Sequence, residues 1–299
     1  MDKNVDVLGV EAQLEVLKKE RKYNNALNKL KRNKTAIFGL VIICIMVFMV
    51  IAADVISPYD PNALDLGNAY LKPGNEGHLF GTDEFGRDLL SRIIYGSRIS
   101  IFVAVGATLV GGAIGLFLGL IAGFYGGMVD SIIMRIMDGI MAFPFVLLAI
   151  LLMTVLGSGV FNVILAIGIA NVPRFARIVR GQVLVVKNEE YCNAVRVLGS
   201  SDYRLLFAHI FPNTISPVIV QATLSVAGSI ISEATLSFLG LGISPPTASW
   251  GNILQGGKNY LTTAPHIATI SGLFILITVL GFNLLGDGIR DVLDPKMKR

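Results

Sequence analysis

From Gly139 to Pro173 this chain runs for 35 residues without an Asp, Glu, Lys or Arg. Such a stretch has no face for water, whereas about 20 apolar residues in a helix cross a hydrocarbon layer. Comparable charge-free runs cover Thr35–Ala53, Ile99–Val129, Ala234–Gly257 and Asn259–Gly286, and Leu205–Ser232 is broken only by His209. A backbone surrounded by lipid must satisfy its own polar groups, which favours helices. With 53% hydrophobic and 15% charged residues and a mean hydropathy of +0.67, the chain reads as an all-α integral membrane protein.

The run Gly139–Pro173 is too long for one straight span and contains Gly157-Ser158-Gly159, so it reads as two helices joined by a tight turn. Six spans follow, at about 35–56, 98–125, 131–156, 160–177, 214–240 and 266–286. An even number puts both termini on one side. Basic flanks stay cytoplasmic. Residues 1–34 carry nine Lys and Arg, 173–212 six and 287–299 four, against three and one in the two segments that face the other way. Both termini are therefore expected in the cytoplasm. A cleaved signal peptide ending near Ala52-Ala53 is the competing reading of residues 1–55, but its polar lead and apolar core are too long.

The expected division is a cytoplasmic tail 1–34, a permease-type bundle 35–287 and a tail 288–299, with an external segment 57–97 and a cytoplasmic loop 178–213. The lead from Val10 to Lys34 spaces Glu, Lys and Leu as a surface helix would, or is a solvated basic tail. The net charge of +4 is accounted for by topology and calls for no nucleic acid. Cys44 lies in a span and Cys192 in the loop, so no disulfide joins them. His78, His209 and His266 are too scattered for a metal cluster.

The loop is the anomaly, because it is short, charged and set between lipid-compatible runs. Tyr191, Ala194, Val195 and Leu198 fall at i, i+3, i+4 and i+7, with Glu189, Glu190, Asn193 and Arg196 on the other face. Gly199 suits a C-cap needing positive φ, and Ser200, Ser201 and Asp202 offer oxygens to start a second helix. Its stripe is Tyr203, Leu206, Phe207 and Ile210, and Pro212 ends it. Helices this short must bury their stripes against something, either their own bundle or a groove on another protein.

Here the residues carry a resemblance. "EYCNAVRVLGSSDYRLLFAHIFPN" resembles the loop signature of membrane subunits of ABC importers, Glu-Ala-Ala, three residues, Gly, nine residues, Ile-x-Leu-Pro. Asn193, Ala194 and Val195 stand for Glu-Ala-Ala, Gly199 for the glycine, and His209, Phe211 and Pro212 for Ile, Leu and Pro. "HLFGTDEFGRDLLSRIIYGSRIS" (78–100), "MDGIMAFPFVLLAI" (137–150), "EATLSFLGLGISPPTASWGNIL" (233–254) and "NLLGDGIRDVLDP" (283–295) resemble the C-type permease of oligopeptide, dipeptide and nickel importers.

The resemblance implies the six-helix fold of a type I importer in a bacterial plasma membrane. It also implies a second related permease, two ATP-hydrolysing subunits carrying ATP and Mg, and an external substrate-binding protein. The loop residues Glu190, Tyr191, Asn193, Ala194, Val195, Gly199, Asp202, His209 and Pro212 would then form the coupling site, Gly199 being the hinge. No cofactor or catalytic residue is expected in this chain. Its own sequence agrees, since "GNILQGGKN" (251–259) has neither the spacing nor the hydroxyl of a phosphate loop.

Other marked residues keep two readings each. Asp138 and Glu233, deepest in the spans, either border the translocation path or bind a cationic substrate end, or else sit near helix ends paired with Arg135 or water. Asp83, Glu84, Arg87 and Asp88 either help receive the binding protein or cap the second span. Gly111, Gly115, Gly119 and Gly123 give one smooth helical face, for packing or for sliding. Pro144 kinks its helix, and Trp250 and Tyr260 fit the outer aromatic belt. The rivals to a peptide permease are a nickel importer of the same build and a proton-driven transporter using Asp138 or Glu233. The latter's mark would be paired broken helices, and none is evident.

Overall fold

The computed structural model describes residues 33–293 and contains no strand among them. The amphipathic lead and the C-terminal tail beyond Leu293 lie outside the described residues, apart from Asn33 and Lys34. Besides two short 3-10 turns, nine helices follow one another among the described residues: α1 (Lys34–Ile56), α2 (Leu89–Tyr125), α3 (Gly127–Met141), α4 (Phe145–Leu156), α5 (Val160–Val186), α6 (Glu190–Val197), α7 (Asp202–Phe238), α8 (Trp250–Gly257) and α9 (Pro265–Leu293). Five are long and apolar enough to cross a membrane, and the bent pair α3–α4 makes a sixth span.

Helix α2 begins nine residues before the expected 98. Asp88 is its N-cap, accepting from the Ser91 N–H at 2.7 Å. At 37 residues it is about 55 Å long, far more than a hydrocarbon layer, so its first turns stand clear and carry Arg92 and Arg98. The segment 57–88, folded on itself through isolated bridges Asn75–His78 and Thr82–Asp88, packs on them where Arg92 donates to the Pro61 carbonyl at 3.0 Å and the Ser91 hydroxyl accepts from the Tyr59 N–H at 3.1 Å. Arg98 does not end a span. It reaches back to α1, donating to the Val50 carbonyl at 2.7 Å and pairing with Asp54 at 2.9 Å.

The centre of the bundle is the α2–α5 seam. A Cβ on Gly115 would lie 2.5 Å from Phe175 Cβ and 2.7 Å from the Val172 carbonyl oxygen; on Gly119 it would lie 2.6 Å from the Ala176 carbonyl oxygen. Gly111 and Gly123 meet Gly168 and Val183 as closely, so four glycines let backbone touch backbone. Lipid tails are as apolar as side chains, so close packing rather than burial holds such helices together. The knobs Asn171, Phe175, Val179 and Val183 sit in the spaces the glycines leave, which makes the face an interlocked contact and not a smooth track.

The expected straight third span is broken. α3 and α4 meet at 90° across Ala142–Pro144. Pro144 lacks the N–H of a continuing ladder and restricts the residue before it, and here no neighbouring turn restores the helix. The glycine turn is as expected: Gly157 and Gly159 have φ of 80° and 144°, and the Gly159 N–H donates to the Gly242 carbonyl. α5 then runs past 177 to Val186, with Pro173 inside it.

The fifth span also differs. The second loop helix does not end at Pro212. Asp202–Arg204 passes through a π-helical turn, Leu205–Ile210, into Phe211–Phe238 as one rod. The wider turn shifts the hydrogen-bond register, so Pro212 falls at the start of the following α-helical stretch, where its missing N–H costs little. α9 closes the bundle against α1, where Gly39 would meet the Gly281 carbonyl at 2.7 Å, and extends to Leu293 rather than 286.

Candidate functional site

The loop pair is divided between two environments. Cys192, Leu205, Leu206 and Ile210 are buried with Leu120, Phe124, Val179 and Val183, so α6 and the π-turn are seated under α2 and α5. The expected stripes are rotated. Tyr191, Ala194 and Leu198 face outward on α6, as do Tyr203 and Phe207 on α7, while Val195 is half-buried. The bundle takes the Cys192–Val195 edge, and the π-turn swings Leu205 inward in place of Phe207.

An apolar collar is left in the open around Gly199: Val197 is 87% exposed, Leu198 85% and Tyr203 74%. Gly199 has φ +79°, and a side chain there would meet open space, so its constraint is the backbone alone. Ser201 is the N-cap of α7, accepting from the Arg204 N–H. Glu190, Asn193 and Asp202 are exposed, His209 is half-buried and Pro212 is exposed on the rod. Asn213 Nδ2 ties the two halves, donating to the Tyr191 hydroxyl at 3.1 Å and the His209 carbonyl at 2.7 Å. Partial burial, then the Cys192 thiol beside it, push the Tyr191 phenol up to about 12.

Two ion pairs join α3 to α5. Arg180 grips Asp130 with two bonds of 2.5 and 2.6 Å, and Arg177 holds Asp138 at 2.5 Å. The partner of Asp138 is therefore Arg177 and not Arg135, because the facing helix supplies the guanidinium.

Glu233 lies neither near a helix end in water nor on an open path. It is fully buried, accepting from Ser100 Oγ at 3.0 Å and Ser237 Oγ at 2.9 Å. Ser100 Oγ in turn accepts from the Trp250 N–H at 3.1 Å, the indole N–H donates to the Ile93 carbonyl, and Ser271 Oγ donates to the Trp250 carbonyl. Trp250 is thus no belt residue: it is 0% exposed. A capping box between Ser249 and Asn252 starts α8, which folds back into the bundle with Trp250 as its wedge. One carboxylate and one indole knit α2, α7, α8 and α9 together. Ser237, one turn from Glu233, was legible as a donor; Ser100 was not.

In the segment 57–88 the charged group has the geometry of the capping reading. Asp83 accepts from Arg87 Nε at 2.7 Å and pairs with Arg92 at 3.3 Å, Glu84 stands 3.7 Å from Arg87, and Asp88 holds His78 at 2.8 Å besides capping α2. Asp83, Arg87 and Asp88 are buried, so they brace the segment; Tyr59, Leu64, Leu66, Tyr70, Leu79 and Phe85 are its exposed large apolar side chains. Among the described residues no three His, Cys, Asp or Glu side chains come together to hold a metal ion.

Known proteins share this build. A family model described as binding-protein-dependent transport system inner membrane component matches residues 115–299. The chain belongs to that family. A second, the N-terminal transmembrane domain of oligopeptide transport permease C, matches residues 23–73.

An oligopeptide transport system permease of Bacillus subtilis is 46% identical over 277 residues, covering 93% of this chain and 90% of the relative. A dipeptide transport system permease of Alkalihalophilus pseudofirmus is 43% identical over 278 residues, with 92% and 90% covered. A glutathione transport system permease of Escherichia coli is 45% identical over 271 residues, with 90% and 89% covered. The fold matches that of an amino acid ABC transporter solved by crystallography, with a TM-score of 0.50 and 15% identity over 67% of this chain and 91% of the other. This family member is a multi-pass bacterial inner-membrane permease subunit of an ABC importer, a transport component rather than an enzyme.

Proposed function

We propose that this chain forms half of a translocation pathway for di- and oligopeptides and takes its energy from ATPase subunits docked on the collar around Gly199. The exposed apolar collar carries the reading: Val197, Leu198 and Tyr203 stand in water beside a bundle that has room for only the other edge of α6. A groove on a second protein is the environment that such side chains fit. Relatives named for peptides support the substrate class and do not favour nickel. The expected partners are a second permease, two ATPase subunits that hold ATP and Mg, and an external binding protein. Both termini then lie in the cytoplasm with α6, as the distribution of Lys and Arg supports.

The mechanism follows from the rod. Closure of the ATPase pair moves the collar, and α7 is continuous from Asp202 to Phe238, so displacement at the loop is delivered through the membrane to Glu233 and the α8 wedge. A proton-driven transporter working through Glu233 is disfavoured by the hydroxyl cage that closes round the carboxylate.

The test is uptake of labelled dipeptide, longer peptide and nickel into proteoliposomes holding this chain with its partner subunits. Uptake of a peptide class that requires ATP and survives a protonophore is the expected result. Uptake indifferent to ATP but abolished by collapsing the proton gradient overturns it.

A further inference from the structure

The ion pairs do not exhaust the charges on the α3–α5 face. Arg174 and Arg177 stand one turn apart on α5, Arg135 and Asp138 one turn apart on α3, and all four are exposed in this chain. The Arg177–Asp138 side chains are 46% and 53% exposed, and neither Arg174 nor Arg135 has an ion pair among the described residues. Three cations and one anion leave the group at +2.

Their depth makes them costly. The Arg180–Asp130 pair marks the loop end of the span; Arg177 and Arg174 lie three and six residues further into α5, about 5 Å and about 9 Å along its axis, and the Arg177–Asp138 bond holds Asp138 at the level of Arg177. A charge there does not face lipid tails. The outer surface of α3 is divided accordingly: Val129, Ile132 and Ile136 form an apolar sector, and Ser131, Arg135 and Asp138 a polar one beside it. A second observation points to the same place. The span breaks at Ala142–Pro144, one turn beyond Asp138, and this irregular backbone is exposed. Non-helical backbone at membrane depth is tolerated where it lines a wet cavity or lies against protein.

We propose that Arg174 and Arg177 form a station in the inner half of the pathway that takes the free α-carboxylate of a peptide in transit. The inference rests on the peptide-permease reading above. The planar guanidinium matches a carboxylate with two parallel hydrogen bonds, and the excess of positive charge selects that end of the substrate. Asp138 holds Arg177 in place until the substrate arrives. A half-exposed pair of this kind is weak, so exchanging it for a peptide carboxylate is nearly neutral, and a station on a pathway must bind weakly enough to release.

The experiment uses the assembled importer, with its binding protein, in proteoliposomes. ATP-driven uptake is measured for a labelled tripeptide with a free C-terminus and for its C-terminal amide, after the binding of each to the isolated binding protein has been measured. Arg174→Gln and Arg174→Lys are compared with the unmodified importer at equal yield of assembled complex. Arg174→Gln is expected to slow the free peptide about tenfold, the equivalent of one charge-assisted hydrogen bond, and to leave the amide's rate unchanged. Arg174→Lys is expected to recover much of the loss.

An unchanged rate for the free peptide overturns the inference, as does an equal loss for both peptides, which is what an ion pair to the partner permease would give. A loss that disappears in vesicles lacking anionic phospholipid assigns Arg174 to a lipid headgroup instead and also overturns it. An unmodified importer that takes up neither peptide with ATP overturns the peptide reading itself.

Discussion

Gly115→Ala tests the seam at the centre of the bundle. Its added Cβ would stand 2.5 Å from Phe175 Cβ and 2.7 Å from the Val172 carbonyl, where carbon atoms rest at about 3.5–4.0 Å. The two helices must part by roughly 1 Å or more, and the parting is felt along the seam because Gly111, Gly119 and Gly123 are in similar contact. Overpacking of this kind costs about 1–3 kcal/mol.

Gly112→Ala is the internal control. It lies on the same helix with ordinary contacts of 3.6 Å to the Phe175 ring. Both substitutions gain about the same helix propensity, up to about 1 kcal/mol, so the difference between them isolates the steric term. The assay is the thermal midpoint of the purified chain in detergent, followed by size-exclusion recovery. Gly115→Ala is expected to lower the midpoint and Gly112→Ala to hold or raise it. Equal shifts would refute the argument that α2 and α5 are held by backbone contact.

Glu233→Ala leaves the hydroxyls of Ser100 and Ser237 without their acceptor and opens a void, which costs about 1–3 kcal/mol per orphaned group. The same thermal assay should show a large fall, with Glu233→Gln intermediate because an amide oxygen still accepts. Gly199→Val places a β-branched residue at φ +79°, a cost of about 1–2 kcal/mol. ATP-driven uptake should fall sharply while the complex remains folded by thermal midpoint, and unaltered uptake would remove Gly199 from the coupling path. Leu198→Glu should reduce co-purification of the ATPase subunits without lowering the midpoint, since Leu198 touches little in this chain.

The bundle was legible because lipid permits few answers: long charge-free runs supply spanning helices, and the six expected spans became five helices and a bent pair. The close approach of α2 was legible too, from glycines at every fourth position. What escaped the sequence was context. Pro144 and Pro212 carry the same local signal, yet one breaks its span by 90° while a π-turn absorbs the other. Arg98 looked like the start of a span and Arg92 like part of the external segment, because nothing local says that a helix will outrun the membrane. The loop stripes were read at the right spacing and rotated, since a period gives a face but not its direction. Trp250 was sent to the membrane surface by composition, when the capping box at Ser249 turned it inward. Glu233 lay beyond any local rule, for its donor Ser100 stands 133 residues away.

That separation bears on how the protein is made. Ser100 leaves the ribosome long before Glu233, so the carboxylate enters the bilayer with one donor already placed on a finished helix and another, Ser237, one turn behind it in the same segment. Trp250 and Ser271 follow and close the site. The costliest side chain in the fifth span therefore need not be stored bare in the translocon. Biogenesis acquires a direction, in which the second helix serves as the template on which the fifth is accepted and the α8 wedge is the last piece to be set.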